Sequence, residues 1–453
     1  MNICLLNDSF PPAIDGVANV VMNYGEHLVK DHGARVAVGT PYYPGGAYEG
    51  YPYEVIAYPS LDTAALMSGY RAGNPFSSKT LAKLQDFEPE LIHSHCPVAS
   101  TILGRLLREQ THAPLVFTYH TKFDIDIHRA VKFPPAAAEA IRALVQNIEA
   151  CDEVWVVSQG AGENLRSLGY GGDYRVMNNG VDFAQGRAEA ALIEKATAEY
   201  DLPAGVPVLL FVGRMMTYKG LPLILDALKL LQQQGQDFRM VFIGKGPDKE
   251  AMEKQAQALG LMGADGPDKV IFTGPIYDRE MLRAWNTRAD LFLFPSTFDT
   301  NGLVVREAAA CGLSCVLIQG SCAAEGITHG RNGFVIEESP EALAALLGEV
   351  CRDLPRLRQI GQRAMEEIYL SWGDCVSAAY ARYNEILELH REGRLPARKT
   401  PLADKFVAAA AVTLEEQERH RRIRRELFDD FKTTAVGMME NIQEAEKKFL
   451  DRR

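Results

Sequence analysis

The stretch FPSTFDTNGLVVREAAACG, residues 294–312, joins the end of an apolar run to a helix-forming segment through a short polar loop. The apolar run LFLF, residues 291–294, predicts a strand that is buried on both faces, and the pattern from about Leu303 onward predicts a helix. A buried strand followed directly by a helix is the repeating unit of parallel α/β sheets, which bind ligands at the carboxyl ends of their strands. Binding residues are therefore expected in the loops that follow such strands.

The same alternation recurs along most of the chain in two series. The first series contains the apolar runs NICLLN, RVAVGT, LIHSHC, LVFTYH, EVWVVS and YRVMNN, and the second contains VLLFVG, RMVFIG, KVIFTG, LFLFPS and SCVLIQG. The segment AEYDLPAGVP, residues 198–207, separates the two series. This pattern predicts two doubly wound α/β domains in tandem, over residues 1–185 and 204–372.

The overall composition narrows the class of protein. The chain has 453 residues, which is too many for a single hydrophobic core, so more than one domain is expected. Its formal net charge of -11 means that nucleic acid is not an expected partner. Its eight cysteines form no C-x-x-C pair, which is typical of reduced thiols in a cytoplasmic protein. No secretion signal opens the sequence, and no apolar stretch approaches the roughly 20 residues of a membrane span. Any membrane contact is therefore expected to be peripheral, at the inner face of the cell membrane.

The loop and helix start in residues 294–312 combine two kinds of binding group. The amides around Gly302, Leu303 and Val304 form a helix N-terminus, whose partial positive charge suits a phosphate. Asp299 and Glu307, eight positions apart, are acceptors that suit the hydroxyl groups of a sugar. The structural alternative is that Asp299 caps the helix and Glu307 lies in its first turn.

The loop FVGRMMTYKG, residues 211–220, places Arg214 and Lys219 after the first strand of the second series. Two cations beside a glycine-bounded turn suit a diphosphate whose negative charge grows as its leaving bond breaks. The alternative is an exposed basic loop. Two further turns contain Gly244 and Ile276, whose backbone suits a flat base, although glycine is common in any such turn.

The first series offers fewer candidates. Gly16, in the loop NDSFPPAIDGVANVV, allows a ligand oxygen to approach the backbone closely, or it is a simple turn glycine. His120 follows a strand and would face the cleft, unless it has a purely structural role. The motif HSHC places His93 and His95 on one face of a strand, but no second pair of ligands follows at zinc spacing, so no metal site is predicted.

The carboxyl-terminal part is predicted to be helical. Residues 340–389 have a helical pattern, and the segment REGRLPARKTP has the composition of a linker. Beyond it, residues 396–453 form a predicted helical tail with an amphipathic pattern and a basic run, RHRRIRR, at 419–425. A coiled coil over 412–450 predicts a homodimer formed by the C-terminal helices.

With these segments assembled, the chain resembles the retaining, nucleotide-sugar-dependent glycosyltransferases of family 4 over roughly residues 1–390. The loop FVGRMMTYKG resembles the family's V-G-R...K-G loop, DTNGLVVRE resembles its E-x7-E element, and NNGVD, residues 178–182, resembles its N-G-V-D signature. The segment around Trp372 resembles the closing helix, about 373–392, that returns to the first domain. The resemblance implies the GT-B fold, in which two Rossmann-like domains face each other.

The same resemblance implies roles for individual residues. Arg214 and Lys219 would bind the donor diphosphate, Glu307 the donor ribose, and His120 would be the cleft histidine. Asp299 stands where the family has glutamate and is one methylene shorter. The expected catalytic residues are Arg214, Lys219, His120 and Asp299. The expected donor-binding residues are Gly16, Gly244, Ile276, Asn301, Gly302, Leu303, Val304 and Glu307.

The resemblance also sets the expected activity. It implies retaining transfer of a hexose from a nucleotide sugar, UDP-glucose or similar, to an acceptor hydroxyl, without a metal or other cofactor. The first domain is most similar to the branch that glucosylates diacylglycerol and related lipids, so a membrane lipid or a glycan is the expected acceptor. Two alternatives stay open: a nucleotide-sugar epimerase of the same fold, and a catalytically reduced nucleotide-sugar-binding scaffold in which Asp299 marks lost catalysis.

Overall fold

The computed structural model describes residues 1–13, 15–63, 70–263, 267–396 and 404–424. It contains two α/β domains, each built on its own parallel sheet, and a further helix at the carboxyl-terminal end. The predicted fold class is therefore confirmed. Among the described residues, no helix has both the length and the apolar character needed to cross a membrane.

The first domain is organised around a seven-stranded parallel sheet with strand order β3-β2-β1-β6-β7-β8-β9. Its strands are β1 (Asn2–Leu6), β2 (Arg35–Pro41), β3 (Glu54–Tyr58), β6 (Leu91–Ser94), β7 (Leu115–Tyr119), β8 (Glu153–Val156) and β9 (Arg175–Val176). A separate antiparallel hairpin consists of β4 (Ser60–Asp62) and β5 (Arg71–Gly73). The central strands are buried along their whole length because helices cover both faces of the sheet.

Helices follow the strands of this sheet in the expected alternation. They are α1 (Gly16–His32), α2 (Ser78–Asp86), α3 (Ala99–Thr111), α4 (Phe123–Ala130), α5 (Pro134–Glu149) and α6 (Gln159–Ser167). Three of these helices begin at a side-chain cap that binds a backbone amide: Asp15 before α1, Ser77 before α2 and Ser158 before α6. The amino ends of α1 and α6 therefore have defined positions at the carboxyl edge of the sheet.

The second domain has a six-stranded parallel sheet with strand order β12-β11-β10-β13-β14-β15. Its strands are β10 (Val208–Val212), β11 (Arg239–Ile243), β12 (Val270–Gly274), β13 (Leu291–Phe294), β14 (Cys315–Ile318) and β15 (Phe334–Ile336). Its helices are α7 (Ala190–Thr197), α8 (Leu221–Gln233), α9 (Lys249–Ala258), α10 (Arg279–Arg288), α11 (Leu303–Ala310), α12 (Pro340–Val350) and α13 (Leu354–Glu367). Short 3₁₀ turns span Thr217–Lys219 and Cys322–Ala324.

The helix α14 (Trp372–Arg391) packs against α1 and belongs to the core of the first domain. Tyr383 stacks on Trp155 of β8 with ring centroids 5.3 Å apart, and Nε of Arg382 donates to Glu153 at 2.8 Å. The chain therefore crosses between the domains twice, once near the N-G-V-D segment and once before α14. Val181 and Ser371 form a β-bridge where the two crossings meet.

A helix over residues 404–424 lies on α2 and α3 of the first domain. Val407, Ala411 and Leu414 are buried in the same apolar cluster as those helices. Asp404 forms an ion pair with Arg105 of α3, which is itself buried. The described part of the tail is thus helical, and its buried apolar face packs on its own first domain. The predicted dimer helix over 412–450 falls mostly outside the described residues.

Candidate active site

The cleft-forming loops of the second domain lie close together at the carboxyl ends of their strands. Gly220, which ends the loop after β10, has φ +77°, and a Cβ atom on it would lie 2.3 Å from the carbonyl oxygen of Pro295. Only glycine fits this approach, so the loop that contains Lys219 is pressed against the loop that contains Asp299. Lys219 and Asp299, which are 80 residues apart in the sequence, are brought into contact in this way.

Lys219 and Asp299 form an ion pair at this junction. Nζ of Lys219 lies 2.5 Å from Oδ1 of Asp299, and the hydroxyl of Ser296 donates to Oδ2 of Asp299 at 2.5 Å. Both charged side chains are largely buried, with 14% and 22% of their surfaces exposed. The pair places a pre-oriented cation beside the start of α11, at the position where the sequence predicts a phosphate.

The amino end of α11 is free for a ligand. Its N-cap is Gly302, with φ +58°, and no described side chain caps the helix. Asp299 therefore does not cap α11, and the structural alternative for that residue is wrong. Glu307 is the fifth residue of the helix, beyond its first turn, so the alternative for Glu307 is wrong as well. The amides of Leu303 and Val304 open the helix with their donors available to an anion.

Asn301 and Gly302 pack against the turn that follows β14. A Cβ atom on Gly302 would lie 2.9 Å from Cβ of Ala323, so the helix start and this turn are in close contact. Nδ2 of Asn301 is buried without a hydrogen-bond partner in the structure. A ligand or water that accepts from this amide would relieve the cost of an unsatisfied donor.

Glu307 is held by a charged group that the sequence did not predict. Nη2 of Arg279, at the start of α10, lies 2.6 Å from Oε1 of Glu307 and 3.5 Å from Oδ2 of Asp182 in the interdomain crossing. The guanidinium also lies over the ring of Phe183, at 4.5 Å. Burial raises the pKa of Glu307, and Arg279 opposes that rise. Arg279 thus orients the carboxylate that the resemblance assigns to the donor ribose.

Arg214 is exposed in the loop after β10 and makes no hydrogen bond or ion pair within the described ranges. Its loop is packed against the loop after β11, because a Cβ atom on Gly244 would lie only 1.9 Å from the carbonyl oxygen of Gly213. Burial and the neighbouring Asp15 raise the pKa of the Tyr70 hydroxyl in the first domain, and the Arg214 guanidinium is close enough to oppose that rise. Arg214 therefore faces the opposite domain with its donors unused.

Ile276 is half-buried and packs against the core of the second domain. The next residue, Tyr277, has 74% of its surface exposed and accepts a hydrogen bond from Nζ of Lys245 at 2.9 Å. The loops after β11 and β12 thus meet through these two side chains. They form an exposed aromatic surface beside the turn that was predicted to contact a base.

The first domain contributes an acceptor-rich loop at the start of α1. Asp15 accepts from the amide of Ala18 at 2.7 Å, from Ser9 at 2.9 Å and from the hydroxyl of Tyr70 at 2.9 Å. Nothing lies within 4 Å of a Cβ atom placed on Gly16, so the space beside this residue is open. Tyr70 was missed because a lone tyrosine in a polar segment carries no spacing signal.

Five described hydrogen bonds join the two domains at the cleft. The hydroxyl of Thr300 donates to the carbonyl oxygen of His120 at 2.6 Å, and the hydroxyl of Ser158 donates to the carbonyl oxygen of Thr300 at 2.5 Å. Nζ of Lys122 donates to the carbonyl oxygen of Thr297 at 3.4 Å. The loop of residues 297–300 is therefore fixed directly to the loop after β7, which brings His120 beside the predicted donor site.

The other two of these hydrogen bonds are accepted by a carboxylate at a helix start. The two oxygens of Glu325 accept from the amides of Gln159 at 2.7 Å and Gly160 at 2.6 Å, at the amino end of α6. A negative charge at this end of a helix is stabilised by its dipole. Because a Cβ atom on Gly160 would lie 2.6 Å from Sγ of Cys322, glycine permits this close approach. Single-residue contacts of this kind leave no pattern in the sequence.

His93 and His95 lie behind the cleft, where their ring nitrogens face other side chains. Both are buried, and His93 bonds through its two ring nitrogens to hydroxyls, at 2.5 Å to Tyr383 and 2.7 Å to Thr118. Nδ1 of His95 lies 2.9 Å from Nε2 of His120. In the part of the chain that the structure describes, no group of three or more His, Cys, Asp or Glu residues is arranged to hold a metal ion.

Comparison with known proteins identifies the two domains. Residues 14–185 match the family described as Glycosyltransferase Family 4, and residues 193–367 match glycosyl transferases group 1. The alpha-monoglucosyldiacylglycerol synthase of Streptococcus pneumoniae is 25% identical over 69% of this chain and 70% of its own length. The sulfoquinovosyl transferase of Arabidopsis thaliana is 25% identical over 78% of this chain and 67% of its own. The D-inositol 3-phosphate glycosyltransferase of Corynebacterium efficiens is 27% identical over 77% and 82%.

Solved structures share the fold. Anabaena HepE in complex with UDP superposes with a TM-score of 0.67 at 20% identity, covering 85% of this chain and all of its own. The sucrose-phosphate synthase of Thermosynechococcus elongatus superposes with a TM-score of 0.66 at 22% identity, covering 85% and 99%. Both domains, the order of their motifs and these relatives agree, and the chain is a glycosyltransferase that belongs to family 4, with the GT-B fold.

Proposed function

We propose that the protein transfers a hexose from a nucleotide sugar, UDP-glucose or a similar UDP-hexose, to an acceptor hydroxyl with retention at the anomeric carbon. A lipid or a glycan is the proposed acceptor. The relative named alpha-monoglucosyldiacylglycerol synthase supports a lipid acceptor, and the relatives named sulfoquinovosyl transferase and D-inositol 3-phosphate glycosyltransferase support glycosyl transfer more generally. The complexes of HepE with UDP and with UDP and glucose support the donor.

The observation that carries the proposal is the uncapped start of α11 beside Lys219. The reaction separates an oxocarbenium-like sugar from a diphosphate, so catalysis depends on stabilising negative charge on the leaving group. Lys219, the free guanidinium of Arg214 and the amides at Leu303 and Val304 are the described groups suited to that charge. Since these groups already supply positive charge, we propose that the transfer needs no divalent ion.

Donor binding would rearrange the ion pair. In the structure Asp299 neutralises Lys219, as a phosphate would in the complex. A diphosphate carries more charge than one carboxylate, and it would draw Lys219 toward itself. Asp299 would then keep its hydrogen bond from Ser296 and offer its other oxygen to a hydroxyl of the hexose. Glu307, oriented by Arg279, would accept from the ribose hydroxyls.

In this proposal, no side-chain base removes the proton of the acceptor hydroxyl. Burial lowers the pKa of His120 to about 3, so its imidazole is neutral at physiological pH and a poor proton acceptor. We propose that the leaving phosphate takes the proton as the new glycosidic bond forms. In this account His120 bounds the face of the hexose that the acceptor approaches.

The test compares two lysines that form similar ion pairs. Lys219→Ala should cost about 2–4 kcal/mol in the transition state, which is roughly 30- to 1000-fold in turnover. The control is Lys269→Ala, because Lys269 pairs with Asp237 at 2.7 Å and directly precedes β12, at the end of that strand opposite the cleft. Release of UDP from UDP-glucose with and without candidate acceptors is the measured rate. Turnover of Lys219→Ala within about threefold of the wild type would refute the assignment.

The remaining parts of the proposal have separate measurements. The anomeric configuration of the product, read by proton NMR, decides between retention and inversion. Turnover that disappears in a chelator and returns with magnesium would reject metal independence. A protein that binds UDP-glucose without releasing UDP with any acceptor would be a scaffold, and one that converts UDP-glucose to another UDP-hexose would be an epimerase.

A further inference from the structure

Three histidines form a continuous group behind the cleft. His93 and His95 alternate on one face of β6 and the residue after it, with ring centroids 4.0 Å apart, and His95 stacks on His120 with centroids 5.2 Å apart. The Tyr24 ring packs in a T-shaped arrangement against both His93 and His95. His95 has 2% of its surface exposed and His120 has 8%. Only the last of the three therefore reaches the cleft.

The hydrogen bonds of this group are unequal. Both ring nitrogens of His93 meet hydroxyls, which can donate or accept as needed. His95 bonds through Nδ1 to Nε2 of His120 at 2.9 Å, whereas Nε2 of His95 is sealed from solvent and has no partner in the structure. Nδ1 of His120 has no partner among the described residues either, but it is not one of the sealed atoms.

These contacts allow two arrangements of the ring protons. In the first, His95 carries its proton on Nδ1 and donates it to Nε2 of His120, which then carries its own proton on Nδ1. In the second, His120 donates from Nε2, and His95 carries its proton on Nε2, where nothing accepts it. The first arrangement leaves Nε2 of His95 as a buried acceptor without a donor, and the second leaves it as a buried N–H without an acceptor. A buried N–H without an acceptor is rarer in proteins and costs more free energy. The geometry therefore favours the first arrangement.

We propose that His95 is a positioning residue that fixes His120 in the tautomer protonated at Nδ1, so that the cleft meets a neutral N–H donor. This inference rests on the proposed function for its catalytic meaning, because His120 bounds the hexose there. The ligand atom that His120 recognises is then a hydrogen-bond acceptor, such as a hydroxyl oxygen of the donor hexose. The carbonyl of His120 is held by Thr300, so ring and backbone are both fixed.

Burial is consistent with this assignment. Desolvation lowers the pKa of His95 well below its ordinary value and that of His120 to about 3. Both rings are therefore neutral at physiological pH, and each imidazole carries a proton on one of its two nitrogens.

The first experiment does not depend on activity. Long-range proton–nitrogen spectra of full-length protein with ¹⁵N-labelled histidine distinguish a protonated ring nitrogen from an unprotonated one, and His120→Gln assigns the signal. We expect the wild type to show His120 protonated at Nδ1 and unprotonated at Nε2. A wild-type His120 protonated at Nε2 would overturn the proposal even if the enzyme is fully active.

Variants of His95 test the cause. His95→Leu removes the donor, so His120 should change to the Nε2-protonated form or a mixture, whereas His95→Asn places an amide donor near the position of Nδ1 and should restore the wild-type signal. His93→Leu is the matched control, because it removes a buried imidazole from the same strand face but leaves the bond between His95 and His120 intact. An unchanged His120 signal in folded His95→Leu would overturn the assignment of His95.

Kinetics separate this inference from the proposed function. We expect His95→Leu to lower kcat by about tenfold with little change in the KM for the nucleotide sugar, since a misdirected donor acts in the transition state, and we expect part of the loss to be recovered in His95→Asn. If the spectra show the expected tautomers and kcat does not change, the catalytic role given to His120 is wrong. The tautomer assignment then stands without it.

Discussion

The helix of residues 404–424 should be required for the stability of the first domain, and one substitution tests this. Asp404 pairs with Arg105, whose side chain has 4% of its surface exposed, and Asp404 itself has 14% exposed. Arg105 also donates to Asn147 of α5 at 2.6 Å. It therefore connects α3, α5 and the tail helix. Asp404→Asn keeps the shape of the side chain and leaves a buried guanidinium without its counter-charge.

The expected cost follows from this burial. Breaking a buried ion pair by removing one partner costs about 3–5 kcal/mol, because the remaining charge stays desolvated. Asn147 still satisfies part of the guanidinium, and Asp404 is not fully buried, so the lower end of about 3 kcal/mol is expected. At roughly 2–4 °C per kcal/mol for a domain of this size, the melting transition of the first domain should fall by about 6–12 °C.

A pair on the same helix provides the control. Arg422 lies 3.1 Å from Asp86, but these side chains have 53% and 63% of their surfaces exposed. Asp86→Asn should therefore change stability by less than about 1 kcal/mol, or about 3 °C. Differential scanning calorimetry of wild type and both variants measures the shifts. Equal shifts for Asp404→Asn and Asp86→Asn would show that the tail helix does not rest on Arg105 as described.

Three further outcomes are expected. Glu325→Gln removes the negative charge that binds the amino end of α6 and joins the two domains, so turnover should fall several-fold and the radius of gyration measured by X-ray scattering should increase. An unchanged radius would mean that this contact does not hold the domains together. Burial lowers the pKa of His93, His95 and His120 below the ordinary 6.5, so in acid the unfolded chain binds more protons than the folded one. Stability should therefore fall as the pH drops below about 6.5, and an equal melting temperature at pH 7.5 and pH 5.5 would contradict this. Removing residues 425–453 should abolish the predicted dimer, as measured by light scattering; a wild type that is already monomeric would reject the dimer.

The fold was largely predictable because its signals are local. Each central strand is a short apolar run, and each helix pattern follows within a few residues, so all eleven predicted runs contain strands of the two sheets. The strands that were missed are β3, β4, β5 and β15. They are short or lie at sheet edges, and each contains half-buried or exposed positions, so they give little apolar signal.

The candidate site was predictable only in part. Arg214, Lys219 and the start of α11 follow strand ends, and the topology of a parallel sheet brings such loops to one edge. The sequence could not show that Asp299 neutralises Lys219 or that Arg279 holds Glu307, because each pair joins residues from different loops or helices. Nor could it show that Glu325 reaches α6 across the cleft.

The sequence by itself determined the two parallel α/β domains, the order of the motifs and the positions of the loops that it predicts to bind phosphate, because short-range patterns of apolar residues and turn glycines encode them. Only the tertiary structure decided which charges neutralise each other, which ring nitrogen of His95 is left without a partner, and where the tail helix rests. Those features depend on contacts between segments tens to hundreds of residues apart. Their geometry is set by packing rather than by local sequence.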